Sequence, residues 1–284
     1  MTPSRRISIM AALLTPFDDR GGVDNEALRA HVDHLVSEGV DGIMPCGTSG
    51  EGPLLGEDEV AAVIGTVVEG AAGRVPVLAH VGRPATRETV RLGRKATDAG
   101  ANALVACMPY YYALDERQVV NHYTTLVAST DVQVYAYTIP SRTGNDLSPG
   151  AVRVLAGEGL AGLKDSTKSF ERHLEYLEIA RGAADPDAFA VFMGSDAMLL
   201  DALQAGAAGS VSALANLRPD LLSSLKRAFM EADQVEAESL QEEIARVRGE
   251  VSKGPTLAGL KAAVARRLSA RGIAYSARLR APLG

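Results

Sequence analysis

Val132-Gln133-Val134-Tyr135-Ala136-Tyr137 and Leu160-Ala161-Gly162-Leu163-Lys164 are two short, mostly apolar runs, and each ends on a reactive side chain. Segments of this length with apolar residues at nearly every position read as strands covered on both faces, as in a parallel sheet. Pro149–Gly157, between them, carries helical periodicity, so the stretch forms a strand, helix, strand unit. Similar apolar runs occur at 7–13, 42–46, 75–80, 103–106, Ala190–Met193 and 208–211, which brings the total to eight strands. Helical periodicity fills the gaps. Leu28, Val32, Leu35 and Val36 fall on one face of a helix that Asp24 or Asn25 is placed to cap and Gly39 to end. Further helices fit 57–69, 86–99, 116–129, 169–181 and 196–205.

Eight strand and helix units in alternation predict an α/β chain folded as a (β/α)8 TIM barrel. After the eighth strand only helical signal remains, at 219–231, Gln234–Val251 and 256–270. The expected organisation is therefore a barrel over 1–215 and a C-terminal helical extension over 216–284, packed on the barrel.

The chain has 284 residues, 46% of them hydrophobic, enough to bury a large core without staples. A net charge of −6 and the lack of a basic stripe argue against nucleic acid as a partner. The basic segment 1–6 is followed by an apolar stretch broken at Thr15-Pro16, which does not read as a signal peptide, and no run approaches a membrane span. A cytoplasmic location and no membrane partner are expected. Cys46 and Cys107 sit in apolar runs without metal-ligand spacing and read as inert, reduced thiols. The five histidines are scattered; His31 and His34, at i and i+3, read as a solvated helix face, and no metal site is expected. No dinucleotide fingerprint is present, so no cofactor is expected.

In such a barrel the chemistry sits where strands end. Lys164 ends one strand and Tyr137 the strand before it; a lysine taken out of water is pushed toward its neutral, nucleophilic form, suited to attack on a ketone. The second strand runs into Gly47-Thr48-Ser49-Gly50-Glu51, a glycine-flanked hydroxyl pair able to hold a small carboxylate. Glu51 reads as a stabiliser of the next helix start. The fourth strand runs into Pro109-Tyr110-Tyr111-Tyr112, three consecutive tyrosines in a chain that is 5% aromatic. Asp196 stands at the end of the seventh strand, placed to cap the helix after it or to meet substrate hydroxyls.

GTSGE, PYYY, YTIPSRTG and GLKDST, in that order, resemble the dihydrodipicolinate synthase and N-acetylneuraminate lyase family of class I pyruvate aldolases. The resemblance runs from Ile9 to Phe17 through Gly194-Ser195-Asp196 to Gly254-Pro255-Thr256-Leu257. It implies Lys164 as the Schiff-base lysine, Tyr137 as the proton shuttle and Thr48 as its relay. Ser49, with nearby backbone N–H groups including the Gly47 turn, would hold the pyruvate carboxylate. Tyr111 would enter a neighbouring subunit's site, so a homo-oligomer, a dimer of dimers, is implied.

For the second substrate the motifs diverge. Ser141-Arg142-Thr143-Gly144 resembles the synthase form, in which the arginine receives the carboxylate of aspartate semialdehyde. Ala79-His80-Val81-Gly82-Arg83-Pro84 looks closer to the lyase and keto-deoxy-sugar-acid branches, and Thr138 and Gly52-Pro53 also depart from the synthase pattern. Arg83, at the third strand's exit, reads as a solvated surface charge, with positive charge for an anionic acceptor as the alternative. The expected partners are pyruvate and a small aldehyde or 2-oxo acid. The leading expectation is a lyase acting on a 4-hydroxy-2-oxo acid, ahead of 4-hydroxy-tetrahydrodipicolinate synthase and of a non-catalytic oxo-acid-binding homologue.

Overall fold

The apolar runs fold into strands β1 (Ser8–Ala12), β2 (Gly42–Met44), β3 (Leu78–His80), β4 (Ala103–Cys107), β5 (Gln133–Thr138), β6 (Gly162–Asp165), β7 (Ala190–Met193) and β8 (Gly209–Ser212). The computed structural model describes residues 7–183, 188–253 and 256–284. The basic segment 1–6 and the Gly254-Pro255 pair, both used above, lie outside the described residues.

All strand pairings are parallel, in the order β2-β1-β8-β7-β6-β5-β4-β3. The two ends of that order meet through a parallel bridge between Ile43 and Val77, and His80 N–H donates to the Pro45 carbonyl at 3.2 Å. The sheet thereby comes close to full closure, and the fold is the expected TIM barrel. Several strands are shorter than the apolar runs that announced them, because a ladder lasts only while its neighbour runs alongside; Val75 and Pro76 lead into β3 without joining it.

The outer layer comprises α1 (Asn25–Ser37), α2 (Glu57–Ala71), α3 (Thr86–Asp98), α4 (Glu116–Val127), α5 (Pro140–Thr143), α6 (Pro149–Gly157), α7 (Phe170–Arg181), α8 (Leu199–Gln204), α9 (Pro219–Met230), α10 (Gln234–Val251) and α11 (Thr256–Ser269). Asp24 caps α1 by accepting Ala27 N–H at 3.0 Å. The expected helix 196–205 instead divides into a 3-10 turn, Asp196–Met198, and α8. Alternation along the strands sorts the core in two. Ile9, Ile43, Leu104, Val134, Leu163 and Val191 face the helices, whereas Met10, Met44, Val105, Tyr137, Phe192 and Val211 fill the barrel interior.

His31 and His34 are not solvated. Both are buried; His31 Nε2 lies 3.1 Å from Asn216 Oδ1, and its ring meets Tyr275 edge-on at 5.1 Å. These partners are far along the chain, so a local helix pattern cannot reveal them. Asn216 also ties β1 to the segment after β8, accepting Leu14 N–H at 3.0 Å and donating to the Ala12 carbonyl at 2.8 Å. Among the described residues no helix is long and apolar enough to cross a membrane.

Candidate active site

Tyr137 of β5 and Lys164 of β6 are register partners, so their side chains leave the same inner face side by side. Lys164 is 6% exposed and Tyr137 3%. The Lys164 Nζ lies 4.3 Å from the centroid of the Tyr137 ring. Among the described residues no carboxylate forms an ion pair with this amine. The amine is thus buried over a phenol and makes no ion pair among the described residues.

The Tyr137 hydroxyl meets the Thr48 hydroxyl at 3.3 Å. Thr48 sits on a tightly wound loop between β2 and α2. Cys46 (φ 60) and Glu51 (φ 55) hold left-handed backbone, Gly52 N–H donates to the Gly47 carbonyl at 3.0 Å, and Thr15 Oγ1 donates to the Gly50 carbonyl at 2.7 Å. A Cβ at Gly52 would lie 1.7 Å from the Cys46 carbonyl oxygen, so only glycine fits there. Ser49 is half-buried and Gly47 buried in the same loop.

Three of the expected catalytic residues, Lys164, Tyr137 and Thr48, are thus together at the carboxyl end of the barrel. Tyr111 is not with them. Its side chain is 87% exposed, its backbone is left-handed (φ 83), and its ring packs edge-on against Tyr112 at 5.0 Å. Arg142 is exposed on α5, immediately after β5, with no ion pair among the described residues.

Two expectations are corrected. Glu51 does not support a helix start: its carboxylate accepts Lys261 Nζ at 2.7 Å and Arg280 N–H at 2.8 Å, both from the C-terminal segment. Asp196 makes no capping bond; it is buried and paired with Arg248 of α10 at 3.2 Å. Burial raises the Asp196 pKa, against the opposing effects of the Ser212 hydroxyl and the Arg248 and Lys164 charges.

His80 closes the third apolar run as Tyr137 closes the fifth. Its ring meets Tyr137 edge-on at 6.0 Å. Its Nε2 accepts the Cys107 N–H at 3.2 Å, which leaves the ring proton on Nδ1. Burial first, then the Arg83 and Lys164 charges, lower its pKa to about 3, so the ring stays neutral. Cys107 and Cys46 are buried thiols, each raised to about 12 mainly by burial, as inert cysteines should be. Arg83 is half-buried and donates to the Gly82 and Leu55 carbonyls.

A TIM barrel with an unpaired lysine beside a hydrogen-bonded phenol at its carboxyl end belongs to the barrels equipped for carbonyl chemistry. The sequence model of the dihydrodipicolinate synthetase family matches residues 6–284, and the chain belongs to that family. It is 39% identical over 257 residues to an uncharacterized DapA-like lyase of Halobacterium salinarum, covering 90% of this chain and 83% of that one. It is 38% identical over 240 residues to a 4-hydroxy-tetrahydrodipicolinate synthase of Methanoculleus marisnigri, covering 84% and 81% of the two chains. Among solved structures, dihydrodipicolinate synthase from Aquifex aeolicus superimposes with a TM-score of 0.89 at 30% identity, covering 98% of this chain and 92% of that one. A prophage protein of the dihydrodipicolinic acid synthase family from E. coli K12, in complex with pyruvate, gives a TM-score of 0.90 at 28% identity over 97% and 92% of the two chains.

Proposed function

We propose that the chain is a pyruvate-dependent class I aldolase that forms or cleaves a 4-hydroxy-2-oxo acid, such as a 2-keto-3-deoxy sugar acid. The observation that carries this reading is the Lys164 amine, without an acid partner among the described residues, 4.3 Å from the centroid of a phenol whose hydroxyl meets Thr48. The pyruvate complex of a family member supports the choice of 2-oxo acid.

In this reading Lys164 Nζ attacks the ketone carbon of pyruvate, and the former carbonyl oxygen takes a proton from the Tyr137 hydroxyl. The Tyr137 phenolate takes a proton from the attached nitrogen and passes it to the same oxygen, which leaves as water and gives an iminium. The positive nitrogen acidifies the neighbouring methyl, which gives up a proton to the Tyr137 phenolate to form an enamine. The enamine carbon attacks the aldehyde, forming the new carbon–carbon bond, and Tyr137 returns a proton to the resulting alkoxide. Water then hydrolyses the imine and frees Lys164. Run backwards, the same steps cleave the bond. Thr48 keeps the phenol oriented and refills its proton; Ser49 and the loop N–H groups hold the carboxylate.

A second reading, 4-hydroxy-tetrahydrodipicolinate synthase, is favoured by Arg142, exposed and without an ion pair among the described residues, which could receive the carboxylate of aspartate semialdehyde, and by relatives of that name. Borohydride reduction in the presence of pyruvate tests the shared chemistry. The expected result is added mass on the peptide that contains Lys164; no adduct there refutes both readings. A screen of 2-oxo-3-deoxy acids for pyruvate release, beside a semialdehyde condensation assay, then separates them. In either case Tyr111, exposed and unattached to its own chain's site, fits a role in a neighbouring subunit of a homo-oligomer.

A further inference from the structure

Glu51 closes the loop that carries Thr48 and Ser49, and neither its side chain nor that of its partner Lys261 is exposed. One carboxylate oxygen accepts Lys261 Nζ from α11 at 2.7 Å, and the other accepts the Arg280 backbone N–H at 2.8 Å. The ring of Phe17, just beyond β1, lies under both cations, 4.2 Å from Lys261 Nζ and 4.6 Å from the Arg280 guanidinium carbon. The Arg280 guanidinium also binds Glu59 and the Gly21 and Leu54 carbonyls. The C-terminal segment therefore grips the exits of β1 and β2 together.

The grip reaches the site through the loop's own hydrogen bonds. Glu51 N–H donates to the Thr48 carbonyl at 3.3 Å, and Gly52 N–H to the Gly47 carbonyl at 3.0 Å. Glu51 is held in left-handed backbone, which a side-chain-bearing residue keeps only when its surroundings fix it. A buried ion pair adds little stability on average, but it fixes geometry, and both oxygens of this carboxylate are satisfied. Any shift of Glu51 moves the two carbonyls that frame Thr48 and Ser49.

We infer that Glu51, Lys261 and the Arg280 segment are positioning residues that hold the 47–49 loop in the shape that receives the carboxylate of the 2-oxo acid. The inference rests on the proposed pyruvate chemistry. Lys261→Met leaves a buried carboxylate unpaired, whereas adding Glu51→Gln removes both charges at nearly constant volume.

The test is the pyruvate concentration that gives half-maximal borohydride-trapped adduct on Lys164, with folding followed by circular dichroism. Since a 1 Å misplacement costs up to about 100-fold, Lys261→Met is expected to raise that concentration roughly 10-fold while still reaching full adduct at saturation. The Glu51→Gln, Lys261→Met pair is expected to recover most of the loss. A folded Lys261→Met chain with the wild-type half-saturating concentration overturns the inference. If Lys261→Met does not fold, Arg280→Ala decides on the same readout: a rise of about 3-fold supports the inference and no rise overturns it. Wild-type protein that traps no pyruvate refutes the underlying chemistry and this inference with it; trapping in wild type with no change in the variants refutes the inference alone.

Discussion

The Thr48 hydroxyl stands 3.3 Å from the Tyr137 hydroxyl although 89 positions separate the two residues. One comes from the loop after β2 and the other from β5, so the contact spans the mouth of the barrel rather than following neighbouring strands. In the proposed chemistry this contact orients the phenol and is the point at which the solvent-exposed Thr48 hydroxyl can return its proton.

Replacing Tyr137 by Phe removes that contact and keeps the ring beneath Lys164. Turnover is expected to fall by about 10²–10⁴-fold, the usual worth of a positioned general acid–base, while pyruvate still forms a trappable adduct. Steady-state kinetics and intact mass measure the two halves; full turnover in the variant removes Tyr137 from the proton path.

Arg142→Ala tests the acceptor. If the acceptor carries a carboxylate at that end, its KM rises by about 10-fold with the loss of one charge-assisted contact, and the pyruvate dependence stays unchanged. An unaltered KM for aspartate semialdehyde argues against the synthase reading.

Three buried histidines make stability depend on pH. Burial lowers His31 and His122 to about 4 and His80 to about 3, against 6.5 for the free side chain. Between those values the unfolded chain binds more protons than the folded one. Their contribution is thus complete above pH 6.5 and is lost as pH falls toward 4, at on the order of 1 kcal/mol per histidine per pH unit. Thermal melting from pH 7.5 to 5 should record a falling Tm, with a shallower slope in His122→Gln. A flat profile would contradict the buried, neutral assignment.

Gly52→Ala places a methyl group 1.7 Å from the Cys46 carbonyl oxygen, so the loop has to open. A loss of about 2–4 kcal/mol in stability is expected, together with weaker pyruvate trapping, because the same loop carries Thr48 and Ser49. Chemical denaturation and trapping on one preparation check both effects.

Much of this arrangement is legible from local sequence. Apolar runs such as 132–137 and 160–164 announce strands, and their last residues, Tyr137 and Lys164, fall where barrel chemistry occurs. His80 ends the third run by the same rule, but no local pattern tells a strand-end histidine of the site from a packed one. Local sequence places Glu51 at the nearest helix start, whereas its partners, Lys261 and Arg280, lie 210 and 229 positions away. Asp196 looks like a cap for the same reason, since Arg248 belongs to a helix 52 positions downstream.

The amino-acid sequence by itself determined the strand and helix alternation, the barrel, and the placing of a lysine and a tyrosine on adjacent strand ends, because hydrophobic period and chain order act over a few residues. Only the tertiary structure decided which charges are buried and with whom they pair: His31 with Asn216, Glu51 with Lys261, Asp196 with Arg248. Burial is a property of what packs on top, and that covering comes from the distant C-terminal part of the chain, which no local pattern can foresee.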